Sequence, residues 1–205
     1  FNGDLLGNHG NLAFYSFQAI KHFTSGDGGI LILPHQELFN RAKLLRWYGI
    51  DRETNSKDFR CEDDISEWGY KFHMNDINAV IGIHNLPGAL DNIQKHHDNA
   101  EFYQKELQGV EGVTLLKRDS RAWSSDWIYT IKVKDRDNFM RHMSDKEIMV
   151  SRVHERNDKH SCVSEFKSFL PNLDKISSEM ICIPNGWWVS EEDRQYIVDC
   201  IKEGW

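Results

Sequence analysis

Residues 12–32 read LAFYSFQAIKHFTSGDGGILI, two apolar runs on either side of one lysine and a glycine-rich turn. The aromatic-rich run at residues 12–17 and the second run at residues 29–33 predict two buried strands. Thr24, Ser25, Gly26, Asp27, Gly28 and Gly29 form the turn between them. Lys21 falls between the strands. An ammonium there is costly to desolvate, so the side chain is paired, snorkels to solvent, or is held as a neutral amine, which is a nucleophile toward carbonyls. A surface lysine at a strand-to-loop edge is the plainer alternative.

The rest of the composition narrows the classes. At 205 residues the chain can bury one sizeable core or two small ones, and 40% hydrophobic with 28% charged residues is ordinary for a globular protein. No apolar stretch approaches the roughly 18 residues of a membrane span, and the first residues lack the basic and apolar regions of a signal peptide. The expectation is a cytoplasmic protein without a membrane partner. Four scattered cysteines without a CxxC pair suit reduced thiols. A net charge of −7 with no extended basic run argues against nucleic acid, though not against a phosphorylated small molecule, which a few hydroxyls, amides and one cation can hold. Trp187, Trp188 and Trp205 predict a C-terminal tail that docks.

Residues 1–10 are turn-like and lead straight into the first strand, with nothing before it to pair with. After the second strand, Pro34 opens a helix with Leu38, Phe39, Ala42, Leu45 and Tyr48 on one face and Gly49 closing it. Residues 50–68 read as a long charged loop, of a length often tied to function or to an interface. Asn75 or Asp76 caps a helix with apolar positions Ile77, Val80, Ile81 and Ile83. Pro87 and Gly88 interrupt it before a second helix with Leu90, Ile93, Ala100, Tyr103 and Leu107. Residues 109–126 turn polar and irregular, a subdomain boundary. Beyond it come a half-buried strand at 127–133, a helix at 135–144 with Phe139 and Met140 inward, a strand at 148–153, a strand at 180–183 and a helix at 190–201 started by Ser190. The fold class is α/β.

Several constellations carry little. His154, Glu155, Asp158, His160 and Cys162 are the densest set of metal-type side chains, but the spacing matches no metal motif and no bound metal is expected. His96 and His97 meet no nucleophile, Ser16 lacks the Gly-x-Ser-x-Gly flanks of a hydrolase elbow, and residues 26–29 are too short for a nucleotide P-loop.

Phe14, Tyr15, Ser16, Phe17, Ile20, Lys21 and then Gly26, Asp27, Gly28 and Gly29 resemble the cofactor-lysine segment of the sugar-nucleotide aminotransferases, the DegT/DnrJ/StrS group. The resemblance implies a pyridoxal 5'-phosphate (PLP) enzyme of the aspartate aminotransferase fold. Lys21 would form the Schiff base and Ser16 would bond the cofactor phosphate. The related dehydratases carry histidine at the lysine position, so Lys21 favours amino transfer. The GYKFHMND stretch at residues 69–76 resembles the turn that reaches a partner subunit's cofactor phosphate, with Lys71 as the cation. This implies a homodimer with shared sites. By the same likeness the strand at 148–153 leads into a substrate loop, with His154, Asn157 and Asp158 as contacts for sugar or donor and Arg152 for a carboxylate or phosphate. A surface loop is the alternative there.

The resemblance covers the whole chain and places it in the C-terminal half of such an enzyme. It implies residues 1–110 as the C-terminal part of the PLP-binding large domain and 111–205 as the small α/β domain. The half bearing the aspartate that pairs with the pyridine nitrogen would lie outside this sequence. The implied activity is transfer of an amino group, by analogy from glutamate, to a nucleotide-linked keto sugar. The rivals are a non-catalytic fragment kept for dimerisation or binding, and a PLP lyase or racemase.

Overall fold

The computed structural model describes residues 1–53 and 64–205. Cys61 and most of the charged loop expected at residues 50–68 lie outside the described residues. The chain divides into two compact units, Phe1–Ala89 and Leu90–Trp205.

The first unit begins with an antiparallel pair, β1 (Ala13–Ser16) and β2 (Gly29–Ile32), in which Ser16 lies opposite Gly29. This register brings the backbones close, since a Cβ on Gly29 would stand 2.8 Å from the Tyr15 carbonyl oxygen. Helix α1 (Gln36–Leu45) follows, with His35 at its N-cap and Pro34 just outside, so the proline precedes the helix instead of opening it. The helix stops before Tyr48. Tyr48 and Gly49 both take positive φ, and the Gly49 amide returns to the Leu44 carbonyl. Residues 70–72 then lie against this corner, through Tyr48 N–H to Tyr70 O and Phe72 N–H to Arg46 O, both 2.9 Å. Helix α2 (Asp76–Asn85) is capped by Asn75, whose side chain accepts from the Asn78 amide at 2.9 Å.

The second unit holds the core. Helix α3 (Ala89–Glu106) leads to an antiparallel sheet of β3 (Val113–Leu115), β4 (Tyr129–Val133) and β5 (Met180–Ile183), with β4 central. Helices α4 (Arg136–Asp145), α5 (Pro171–Glu179) and α6 (Glu191–Lys202) complete it. Alternation in β4 sends Tyr129, Ile131 and Val133 inward, into a core shared with Tyr103 of α3 and Leu107 just after it, Phe139 and Met143 of α4, and Val198 and Ile201 of α6. Ser190 caps α6 in a capping box: its hydroxyl accepts from the Asp193 amide at 3.0 Å, and its own amide donates to the Asp193 carboxylate at 3.1 Å. The tail docks through Trp205, whose indole N–H donates to the Lys134 carbonyl at 2.7 Å while its ring meets Phe139 edge-on. Trp187 and Trp188 stay exposed.

Three expectations are corrected. The pair β1 and β2 is not buried within this chain: Phe14 is 82% exposed, and the ribbon has no third strand among the described residues. The outward positions of α2 behave alike, with Ile77 at 76% and Ile83 at 71%, and the helix instead buries Gly82. No strand forms at residues 148–153. Ile148 turns into the core and Met149 faces solvent, so only Ser151 pairs with β5, through reciprocal backbone bonds to Cys182.

Candidate active site

Lys21 sits in a loop, residues 17–28, that leaves and returns through a narrow neck. The Phe17 amide donates to Gly28 O at 2.9 Å, and the Phe17 carbonyl accepts from the Ser25 amide at 3.0 Å and the Thr24 hydroxyl at 3.1 Å. Above the neck the chain makes a turn in which the Lys21 amide bonds Gln18 O at 3.0 Å. Phe17 and Phe23 close the base edge-to-face, with ring centres 4.7 Å apart. The glycine turn is bent by positive φ at Gly26 and Gly28 and held by the buried Ser25, whose hydroxyl donates to the Asp27 carbonyl at 2.7 Å. Lys21 itself is half-buried.

Ser16 ends β1 immediately before this neck and is exposed. Its hydroxyl contacts, to the Gln18 side chain and amide, are both 3.4 Å long, which leaves the hydroxyl able to serve a ligand oxygen. A primary amine and an available hydroxyl five residues apart on one strand-to-loop junction fit an aldehyde that also carries a phosphate. In such a molecule an amine can react with the carbonyl and a hydroxyl can donate to the anion.

Sequence reasoning passed over what holds this loop in place. The Asn78 side-chain amide donates to the Ser25 carbonyl at 2.6 Å and the Asp27 carbonyl at 3.1 Å, and that of Asn85 to the Thr24 carbonyl at 2.9 Å. The two asparagines stand two turns apart on one face of α2. Gly82 lies between them, where a Cβ would come within 3.3 Å of the Ser25 side chain. The signal was present as polar residues on one face of an otherwise apolar helix, but the isoleucines suggested the opposite face as the buried one.

Lys71 is exposed on the segment that leads into α2, with its ammonium 5.3 Å from the centre of the Trp47 ring. Arg52 stands 5.0 Å from the same ring, and His73 meets it edge-on at 3.8 Å. Burial first, and then the Lys71, Arg52 and Arg46 cations, push the His73 imidazole below its ordinary pKa. Asn75, by contrast, is occupied as the cap of α2.

In the second unit, Arg152, His154 and Asn157 are exposed on the segment that follows Ser151, and Arg152 approaches Glu155 at 3.6 Å. Asp158 is engaged within the protein. Arg156, also passed over in the sequence, pairs with both Asp158 and Asp174 and donates to the Ser168 carbonyl at 2.9 Å. The Arg156 guanidinium pulls the Asp158 carboxyl down to about 2. Among the described residues, no three His, Cys, Asp or Glu are grouped to hold a metal, and no helix is long and apolar enough to cross a membrane.

Solved structures share the fold. AtS13 from Actinomadura melliaura superposes with a TM-score of 0.95 at 46% identity, covering all of this chain and 54% of that one. The sugar aminotransferase CalS13 from Micromonospora echinospora gives 0.95 at 43%, covering all of this chain and 55% of that one. The dTDP-4-amino-4,6-dideoxy-D-glucose transaminase of Shigella dysenteriae is 24% identical over 98% of this chain and 54% of its own length. The profile of the DegT/DnrJ/EryC1/StrS aminotransferase family matches residues 1–202. The chain belongs to that family, and it spans about half the length of the relatives named.

Proposed function

We propose that this chain is the lysine-bearing part of a cytoplasmic, PLP-dependent aminotransferase that moves an amino group from glutamate to a nucleotide-linked keto sugar. The observation that carries the reading is Lys21 in its neck-bound loop directly after Ser16, within a family match that runs over residues 1–202. PLP, when bound, supplies the electron sink that lets a donor α-carbon lose its proton. Lys21 Nζ would hold that group and, as a free amine, would take the donor's α-proton and pass it on within the same half of the transfer. Ser16 Oγ donates to the phosphate. Lys71, reaching a second subunit's site, adds the cation that fixes it.

The exposed faces of β1, β2 and α2 support a homodimer of the whole enzyme, because apolar surface of this extent is ordinarily covered. In that whole, residues 1–110 belong with the large cofactor domain and 111–205 form the small one. Arg152, His154 and Asn157 meet the sugar or the donor, and Asp158 anchors their loop through Arg156.

Isotope-labelled glutamate tests the reading. With nucleotide-linked keto sugars as acceptors, the intact enzyme is expected to pass the label into a sugar amine, and Lys21→Ala to pass none. Equal transfer by both proteins contradicts it. No transfer by either, together with preserved dimerisation, favours the non-catalytic binding module.

A further inference from the structure

We infer that Asn78 is a positioning residue for Lys21, with Asn85 in support: α2 sets the stance of the reactive amine by holding the three carbonyls at the loop's neck. The inference rests on the functional reading above. The six residues that carry Lys21, 18–23, hang from a neck whose outgoing strand is Phe17 and whose returning strand is residues 24–28. Thr24, Ser25 and Asp27 direct their carbonyl oxygens at α2, and the helix answers with side-chain amides from Asn78 and Asn85. The Asn78 amide nitrogen thus reaches two carbonyls, one on each side of Gly26.

The approach is built from the helix side too. Gly82 is buried, and a Cβ there would press on the Ser25 side chain at 3.3 Å and the Phe23 ring at 3.5 Å. A hydrophobic face would have packed the loop without orienting it. Amide donors aimed at individual carbonyls fix where the neck lies along the helix, and so where Lys21 leaves it.

Asn78 also occupies the third position of α2, with its backbone amide bound to the Asn75 cap. An aspartate at that position keeps the shape, keeps the cap and suits the positive end of the helix, but offers carbonyls no donor. Asn78→Asp therefore separates the latch from the helix. The test uses the intact enzyme and reads three quantities: borohydride trapping of PLP at Lys21 as a function of pH, kcat and KM separately, and amide exchange by peptide. The inference predicts trapping still confined to Lys21 but slower and with a displaced pH midpoint. It also predicts kcat lower by roughly tenfold or more with KM for both substrates little changed, and faster exchange at residues 17–28 with α2 still protected.

Unchanged trapping and kcat in Asn78→Asp overturn the inference while leaving the functional reading intact. Wild type that fails to trap PLP at Lys21 overturns both. Should Asn78→Asp also open α2, Asn85→Ala decides: it removes the second donor at an exposed position where alanine favours helix. It must show the same confined loop opening and slowed trapping, or the inference fails.

Discussion

Arg156 grips Asp158 and Asp174 at once, and its donation to the Ser168 carbonyl at 2.9 Å ties the segment after Ser151 to the start of α5. One guanidinium thereby shapes a loop that has no strand to fix it. Its side chain is only 14% exposed and that of Asp158 17%, so truncation strands the Asp158 carboxylate where water reaches it poorly and releases the exposed Asp174. Arg156→Ala is expected to raise KM for the nucleotide sugar more than it lowers kcat, which steady-state kinetics with each substrate varied in turn will show.

The same pair sets an acid limit. Hydrogen bonding from Arg156 holds the Asp158 carboxyl at about 2, below its unfolded value, so the stabilisation it gives is complete above the unfolded pKa. It is lost as pH falls through the range down to about 2. Amide protection in the loop, corrected for the intrinsic pH dependence of exchange, should therefore fall on acidification below the ordinary carboxylate range, and Asp158→Asn should show lower protection that varies less across that range.

Under the proposal Lys71 has a cofactor phosphate to hold. Removing a charged donor from an anion costs about 1.5–3 kcal/mol, so Lys71→Ala is expected to weaken PLP binding by roughly tenfold or more. Equilibrium dialysis of the assembled enzyme measures this directly. Unaltered binding would return Lys71 to the surface cluster around Trp47.

Gly28 has φ +134, and a Cβ there would meet the Met74 methyl at 2.9 Å and the Ser25 hydroxyl at 3.0 Å. Gly28→Ala is expected to destabilise the loop by about 1–3 kcal/mol and to slow reaction at Lys21. In the second unit, Ser190→Ala breaks the capping box and should cost about 1 kcal/mol without touching PLP binding. Thermal unfolding of both variants beside PLP titration separates the two effects.

The legible parts of this molecule were those whose signals are local. The bounds of β5, the inward alternation of β4, the cap at Ser190 and the cap at Asn75 all followed from short-range pattern and capping chemistry. The two strands on either side of the glycine turn were legible for the same reason, and the role proposed for Lys21 rests on the family resemblance. What escaped depended on distant partners. Asn78 meets Ser25 across 53 residues and Arg156 meets Asp174 across 18, and neither spacing leaves a periodic trace. Apolar pattern misled at Phe14, Ile77 and Ile83, where it marks surfaces that this chain does not itself cover. It misled again at 148–153, where β5 offers that segment a single pairing position at Cys182.

The central claim, that Lys21 is the amine that takes the cofactor, is tested most directly by borohydride reduction of the PLP-loaded enzyme followed by peptide mass mapping, with Lys21→Ala in parallel. The account predicts a reduced pyridoxyl adduct confined to the peptide containing Lys21 and absent from the variant. No adduct, or labelling spread equally over exposed lysines in both proteins, would contradict it.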